Sequence, residues 1–338
     1  MNSDGSRKNS IWDRIKQSDL IVLVIALFML CAIAYCIKPV FLSQRNIMNT
    51  LRQVSLTAIC GYGVTMIVLV GEIDLSVGSQ QAVAGIISIE VLNHTGSVLL
   101  AILVTILAGV LIGALNGILV TGLGINSMIV TLGTMAIWRG FSMVVTNAVS
   151  IQSAVPEFAN VATGFIGPIP NAVVIAVILL ILIYYILNHT SIGRTIYAVG
   201  GNKEAARYAG LPVKRIKMLV YILGGMLSML SGVLLASRMA SAQPTAGTGF
   251  EMTVIASVIL GGVSLSGGIG SITGAVIGML ILGVLQNALT LMDVSSFWQD
   301  ITRGIVIILA VGLDEVRKQA NLRRMILSQK ELQKERAQ

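Results

Sequence analysis

Charge is what this sequence has least of. Only 11% of its 338 residues are Asp, Glu, Lys or Arg, where a water-soluble domain carries about a quarter, so water is not the main solvent of the chain. Aromatic residues make up 5%, and the basic residues gather on no folded polar surface; the net charge of +8 therefore does not point to nucleic acid. Cysteine and histidine are scarce as well. Cys31, Cys36 and Cys60 are odd in number and sit in apolar segments, which argues against a disulfide framework or a thiolate metal site. His94 and His189 are far apart, too few for a metal site or a proton relay. No cluster of His, Cys or paired carboxylates falls at catalytic spacing, so a membrane-embedded enzyme is not expected. No G-x-x-x-x-G-K-[ST] loop is present to cradle phosphates. The string L-S-G-G at 265–268, also a signature of ATP-binding-cassette ATPases, lies between apolar runs that a nucleotide does not reach.

What is there in abundance is apolar surface: 55% of residues are hydrophobic and the mean hydropathy is +0.87. Runs near the roughly 20 residues needed to cross a bilayer recur. They fall near 20–37, 50–70, 75–92, 98–122, 127–146, 171–187, 217–237, 252–263, 272–291 and 298–313. The first lies too far in, and ends in residues too bulky, to be a cleaved signal peptide, so it is read as a retained span. The fold class expected is an all-α membrane protein, a polytopic transmembrane helical bundle of about ten spans with broken or re-entrant helices. One membrane domain, 20–313, lies between an N-terminal tail, 1–19, and a C-terminal tail, 314–338. Of the 23 Lys and Arg, 17 fall before residue 17, between 188 and 217, or from 317 onward. An even number of spans puts all three regions on one side, and the positive-inside bias makes that side cytoplasmic. The connection 147–170 is then external; three prolines and a lone Glu157 suit an exported loop that carries a short helix.

Three segments carry most of the information. G-E-I-D-L-S-V-G at 71–78 puts Glu72, Asp74 and Ser76 between two apolar runs with almost no linker. Carboxylates at membrane depth need water, a partner or backbone donors, so the segment is read either as a break lining a translocation pathway or as a polar turn that caps the following helix. A second glycine-interrupted segment, 261–268, repeats Gly, Leu, Ser and Gly at a constant offset, and the run before it is too short to span upright. Paired interruptions of this kind mark discontinuous helices around a central site in many transporters. Gln243, beside another glycine-rich stretch, joins Glu72, Asp74 and Ser76 as a candidate pathway residue.

The third segment, 193–217, reads as a rigid lever for a cytoplasmic partner. Asn202 is placed to cap a short helix over 203–209 containing Lys203, Glu204, Ala205, Ala206 and Arg207; Gly210 ends it, and Pro212 after Leu211 begins the next. A loop serving only membrane orientation needs no helix signals at both ends. Gly113 with Gly117, and Gly274 with Gly278, form small-x-x-x-small pairs that allow close helix packing. A carrier coupled to protons or sodium is the rival class, with Glu72, Asp74, Glu90 and Glu251 as its acidic candidates.

Five ordered blocks then carry a family resemblance: G-E-I-D-L-S-V-G-S at 71–79, T-L-G-T-M-A-I-W-R-G at 131–140, G-R-T-I-Y-A-V-G-G-N-K-E-A-A-R-Y-A-G at 193–210, S-A-Q-P-T-A-G-T-G-F-E at 241–251 and L-G-G-V-S-L-S-G-G-I-G-S at 260–271. From about Leu51 to Leu313 the chain resembles the sugar permeases of bacterial ATP-binding-cassette importers related to the ribose permease. The resemblance implies a non-enzymatic inner-membrane subunit that binds no cofactor, forms a dimer, and receives sugar from a periplasmic sugar-binding protein. ATP is used by a separate cytoplasmic ATPase that docks on residues 202–211. Glu72 stands where many relatives carry Gly or Ser, and Ile269 where many carry a basic residue. The identity of the sugar is not legible.

Overall fold

The computed structural model describes residues 11–309 together with 311, 312, 315 and 316. The chain is helical nearly throughout. Helices α1 (Ile11–Ile37), α2 (Gln44–Leu69), α3 (Val77–Thr95), α4 (Val98–Gly117, prolonged by a π-helical turn, Ile118–Gly122) and α5 (Ser127–Thr146) are followed by a mixed connection that holds the short helix α6 (Asn160–Thr163). Then come α7 (Asn171–His189), α8 (Ser191–Gly201), α9 (Lys203–Tyr208), α10 (Val213–Met239), α11 (Phe250–Leu260) and α12 (Ile272–Leu291), and residues 296–309 are helical again.

Among the described residues, seven of these helices are long and apolar enough to cross a membrane, and they coincide with seven of the ten expected runs. The expected run 75–92 forms α3, which is long enough but carries Gln80, Gln81 and Glu90. The run 252–263 forms α11, only 11 residues long, so the short span expected there is a half-helix preceded by the non-helical stretch 243–249. The run 298–313 is helical as far as 309. Helix α1 begins nine residues before its apolar run, inside the expected N-terminal tail. Residues 1–10 and most of the expected C-terminal tail lie outside the described residues.

Lipid is the solvent for the outer helices. On α4, Leu99, Leu103, Leu107 and Leu111 recur every fourth residue and are exposed, whereas Thr105, Gly109, Ile112, Gly113 and Asn116 are buried. This period of nearly one turn places the leucines on a single outward face. The inward face is lined with glycine because α10 passes against it. A Cβ on Gly113 would strike the Tyr221 carbonyl, and one on Gly278 of α12 would strike the Ser257 carbonyl of α11. The two small-residue pairs thus serve close packing, as expected. Helices α2, α3 and α10 form the buried centre, and from Val54 to Leu69 only Thr57 of α2 is more than marginally exposed.

The connection 147–170 closes one end. Strand β1 (Ile151–Gln152) pairs antiparallel with β4 (Ser241–Ala242), Ile151 opposite Ala242, and β2 (Phe165–Ile166) pairs with β3 (Ile169–Pro170). Ser237, two residues before the end of α10, accepts from the Ala162 N–H and donates to the Phe158 carbonyl at 2.6 Å. Lys217 lies near the start of the same 27-residue helix, about 40 Å long at 1.5 Å per residue. The connection 147–170 and the basic region 188–217 therefore occupy opposite ends of the bundle.

Candidate functional site

At the basic end, three chain segments meet through their backbones. The Gly268 N–H donates to the Leu69 carbonyl at 2.8 Å, joining the loop after α11 to the end of α2. Gly200, in the last turn of α8, fits against that same carbonyl and the Gly268 nitrogen with no space for a side chain. The two glycine-interrupted segments, 71–78 and 261–268, are also in direct contact, Gly267 lying against the backbone of Gly71. Their junction lies at one end of the bundle and not around its centre, because each follows a helix, α2 or α11, that stops there.

The segment 71–76 is tied to four neighbours. Glu72 forms an ion pair with Lys217 of α10. The Tyr221 hydroxyl donates to the Ile73 carbonyl at 3.3 Å, and the Ile73 N–H donates to Ser127 Oγ, at the start of α5, at 3.4 Å. Asp74 is 1% exposed. Its Oδ1 accepts from the Ser76 N–H at 2.8 Å and from the Ser76 hydroxyl at 2.5 Å, and its Oδ2 accepts from Asn116 Nδ2 of α4 at 3.5 Å. Gln80 Nε2 donates to Ser76 Oγ at 2.8 Å. The hydrogen bonds described for this carboxylate all come from Ser76 and Asn116, beside the start of α3. Asp74 thus closes a turn on Ser76, the residue just before the first residue of α3. Ser76, the other candidate cap, makes no cap bond with its own side chain.

Beyond this junction projects the hairpin of α8 and α9. The Ala205 N–H donates to Asn202 Oδ1 at 2.9 Å, capping α9, and Gly210 ends it with φ +77° while the Leu211 N–H returns to the Ala206 carbonyl. The expected caps are therefore all present. Ala206, however, is buried against the chain's own core, whereas Lys203, Glu204, Ala205 and Arg207 are exposed. Tyr208, which the charge-and-cap pattern does not single out, is 88% exposed. An aromatic side chain offered to solvent in so aromatic-poor a chain is the signal that could have found it.

A second polar region lies deeper. A cavity of about 300 Å³ opens between α2, α3, α10, α11, α12 and residues 296–309, with Gln53, Thr57, Gln81, Arg238, Gln286 and Arg303 in its lining. Thr57 stands at the midpoint of α2, so the cavity reaches the middle of the bundle. The stretch 243–249 supplies Gly247 and Thr248 to its wall. Arg139 of α5 anchors that stretch by donating to the Pro244 and Ala246 carbonyls, both at 2.7 Å. Of the four candidate pathway residues, Glu72, Asp74 and Ser76 belong to the junction, and Gln243 lies in the stretch that forms the wall without itself lining the cavity.

The four carboxylates named for an ion-coupled carrier have different surroundings. Glu72 is paired, Asp74 is capped by donors, Glu90 pairs with exposed His94 at the far end of α3, and Glu251 is buried beside Gly78. Among the described residues no three His, Cys, Asp or Glu come together as a metal site.

The family model described as branched-chain amino acid transport system / permease component matches residues 46–311. The chain is 42% identical to the ribose import permease protein RbsC of Haemophilus influenzae, over 86% of this chain and 91% of that one. It is also 42% identical to the RbsC of Escherichia coli K12, over 87% and 93% respectively. To the L-arabinose transport system permease protein AraH of Escherichia coli K12 it is 38% identical, over 92% of this chain and 93% of that one. No solved structure matches the chain.

Proposed function

Since this chain belongs to the branched-chain amino acid transport system / permease component family, a multi-pass, non-catalytic transport subunit, we propose that it moves a ribose- or arabinose-type monosaccharide inward across a bacterial inner membrane. In this reading two copies form the pathway, a periplasmic binding protein delivers the sugar, and a separate ATPase hydrolyses ATP. The observation that carries the mechanism is the exposed, doubly capped α9, joined through α8 to the backbone junction at Gly200. ATP-driven closure of the ATPase shifts the docked α9. Gly200 passes that shift to the Leu69 carbonyl and Gly268, and so to both glycine-interrupted segments and the helices they lead into.

The reading is tested by producing the chain with the binding protein and ATPase encoded beside it, in cells lacking their own ribose and arabinose uptake. ATP-dependent accumulation of labelled ribose or arabinose is the expected result. Accumulation that survives loss of the ATPase and collapses with an uncoupler would establish an ion-coupled carrier instead.

Two finer expectations follow from where residues sit. With the basic end cytoplasmic, Ser191→Cys in intact cells resists an impermeant thiol reagent while Phe165→Cys, exposed on the opposite end, reacts; the reverse pattern inverts the topology. Ala205→Trp should leave the permease abundant yet weaken its association with the ATPase about tenfold or more, because a bulky ring on the outward face of α9 blocks a shape-fitted cleft. Glu204→Gln should do far less, since an exposed ion pair contributes under about 1 kcal/mol. Co-purification of the ATPase with each variant reads this out.

A further inference from the structure

The polar cavity is an expensive feature. Amides, hydroxyls and guanidinium groups are tolerated within an apolar bundle when they face water or a polar solute. We propose that this cavity is a binding station for a neutral polyhydroxylated solute of monosaccharide size, and that Gln81 sets its selectivity. The inference rests on the sugar-permease reading and names the place and the chemistry that serve it.

Size comes first. Small-molecule pockets begin at about 300 Å³, and this cavity has about that volume, which suits one sugar ring and not an oligosaccharide. Its lining is two-sided: Gln53, Gln81, Gln286, Arg238 and Arg303 provide polar groups, while Leu56, Leu235 and Phe250 provide apolar surface. A sugar presents the same pair of surfaces, a rim of hydroxyls and faces of C–H.

The charge pattern selects among polar solutes. Two arginines line the cavity and no carboxylate does, but Arg303 is already paired with Asp300 at 3.3 Å. The three glutamines each offer an acceptor as well as donors. A hydroxyl uses both; an anion would leave the amide oxygens facing its own lone pairs.

Gln81 is the best fixed of the three. Its Nε2 donates to Ser231 Oγ at 2.8 Å, and Ser231 donates in turn to the Leu56 carbonyl at 2.8 Å. This relay orients the amide, and its Oε1 lies against Gly247 of the cavity wall. An acceptor held so can tell a hydroxyl from a hydrogen at one position of the solute, because a solute lacking that hydroxyl leaves the acceptor unpaired.

The test uses the full chain in lipid nanodiscs, with Cys31, Cys36 and Cys60 replaced by Ser and Thr57→Cys as a reporter in the cavity wall. D-Ribose or L-arabinose should slow modification of the reporter by a methanethiosulfonate reagent. Gln81→Leu should raise the half-protecting sugar concentration about tenfold, the worth of one lost hydrogen bond. Gln286→Leu, on a different helix, should weaken protection too, and Gln299→Leu, outside this cavity, should not. D-Ribonate protecting at lower concentration than ribose would overturn the neutral class. Absence of sugar protection with Gln81 intact, while the assembled importer accumulates ribose or arabinose, would overturn the cavity assignment and leave the function standing. If the assembled importer moves no sugar, the sugar reading falls and this inference with it.

Discussion

Gly200→Ala is expected to reduce sugar uptake per permease molecule to background, while Gly201→Ala, one residue on, leaves it close to normal. The contrast is geometric. A Cβ on Gly201 meets nothing within 4 Å, whereas one on Gly200 overlaps the Leu69 carbonyl oxygen and crowds the Gly268 nitrogen. Both obstacles are backbone, so no rotamer change makes room. They are also the two ends of the hydrogen bond that joins α2 to the loop after α11. Overpacking of this kind costs about 1–3 kcal/mol or more, and the cost falls on the junction and not on α8, where Ala is the better helix former by about 1 kcal/mol. The variant should therefore insert, retain α8 and α9, and still bind the ATPase, but hydrolyse ATP without matching uptake. Assays of uptake and hydrolysis on the same reconstituted preparation decide the matter. Normal coupling in Gly200→Ala would mean that motion of α9 reaches the bundle by another route.

Much of this architecture was legible in the sequence because it follows from short-range patterns. Apolar runs set the long helices, and the α9 caps could be placed because Asn202, Gly210 and Pro212 act within a few residues of themselves. The helix in 147–170 and the close packing at Gly113 and Gly278 were legible for the same reason. What could not be read depends on distant partners. Gly200 and Gly201 are identical letters, and only the approach of Leu69 and Gly268 makes one of them irreplaceable. Ala205 and Ala206 likewise differ only in which one the fold turns inward. The cavity is the extreme case: Thr57, Gln81, Arg238, Gln286 and Arg303 come from α2, α3, α10, α12 and 296–309, with no local spacing to connect them. Asp74 was legible as a polar residue at a break, but its contact with Asn116, 42 residues away, was not.

The other large effect is expected at Lys217. Its side chain is 9% exposed and that of its partner Glu72 13%, so the ion pair is removed from bulk water. Lys217→Met should be strongly destabilising, because it leaves a desolvated carboxylate with no cation; breaking such a pair from one side costs about 3–5 kcal/mol. Glu72→Gln, which strands the ammonium instead, should also destabilise. Removing both charges relieves both penalties, and well-packed neutral replacements of a buried pair are often neutral or better. The double variant Glu72→Gln/Lys217→Met should accordingly melt closer to the unaltered protein than either single variant, when unfolding of the purified permease in detergent is followed with temperature. The sign of that coupling separates charge from packing. If Lys217 acted mainly through its aliphatic stem, Met would preserve the contact and Lys217→Met alone would be mild. If the double variant is as unstable as Lys217→Met, the loss is not that of an unpaired charge. Glu72→Ser in this chain should be destabilising on its own and recover when Lys217→Met is added, because a small neutral residue at that position is compatible with the fold only where no buried ammonium faces it.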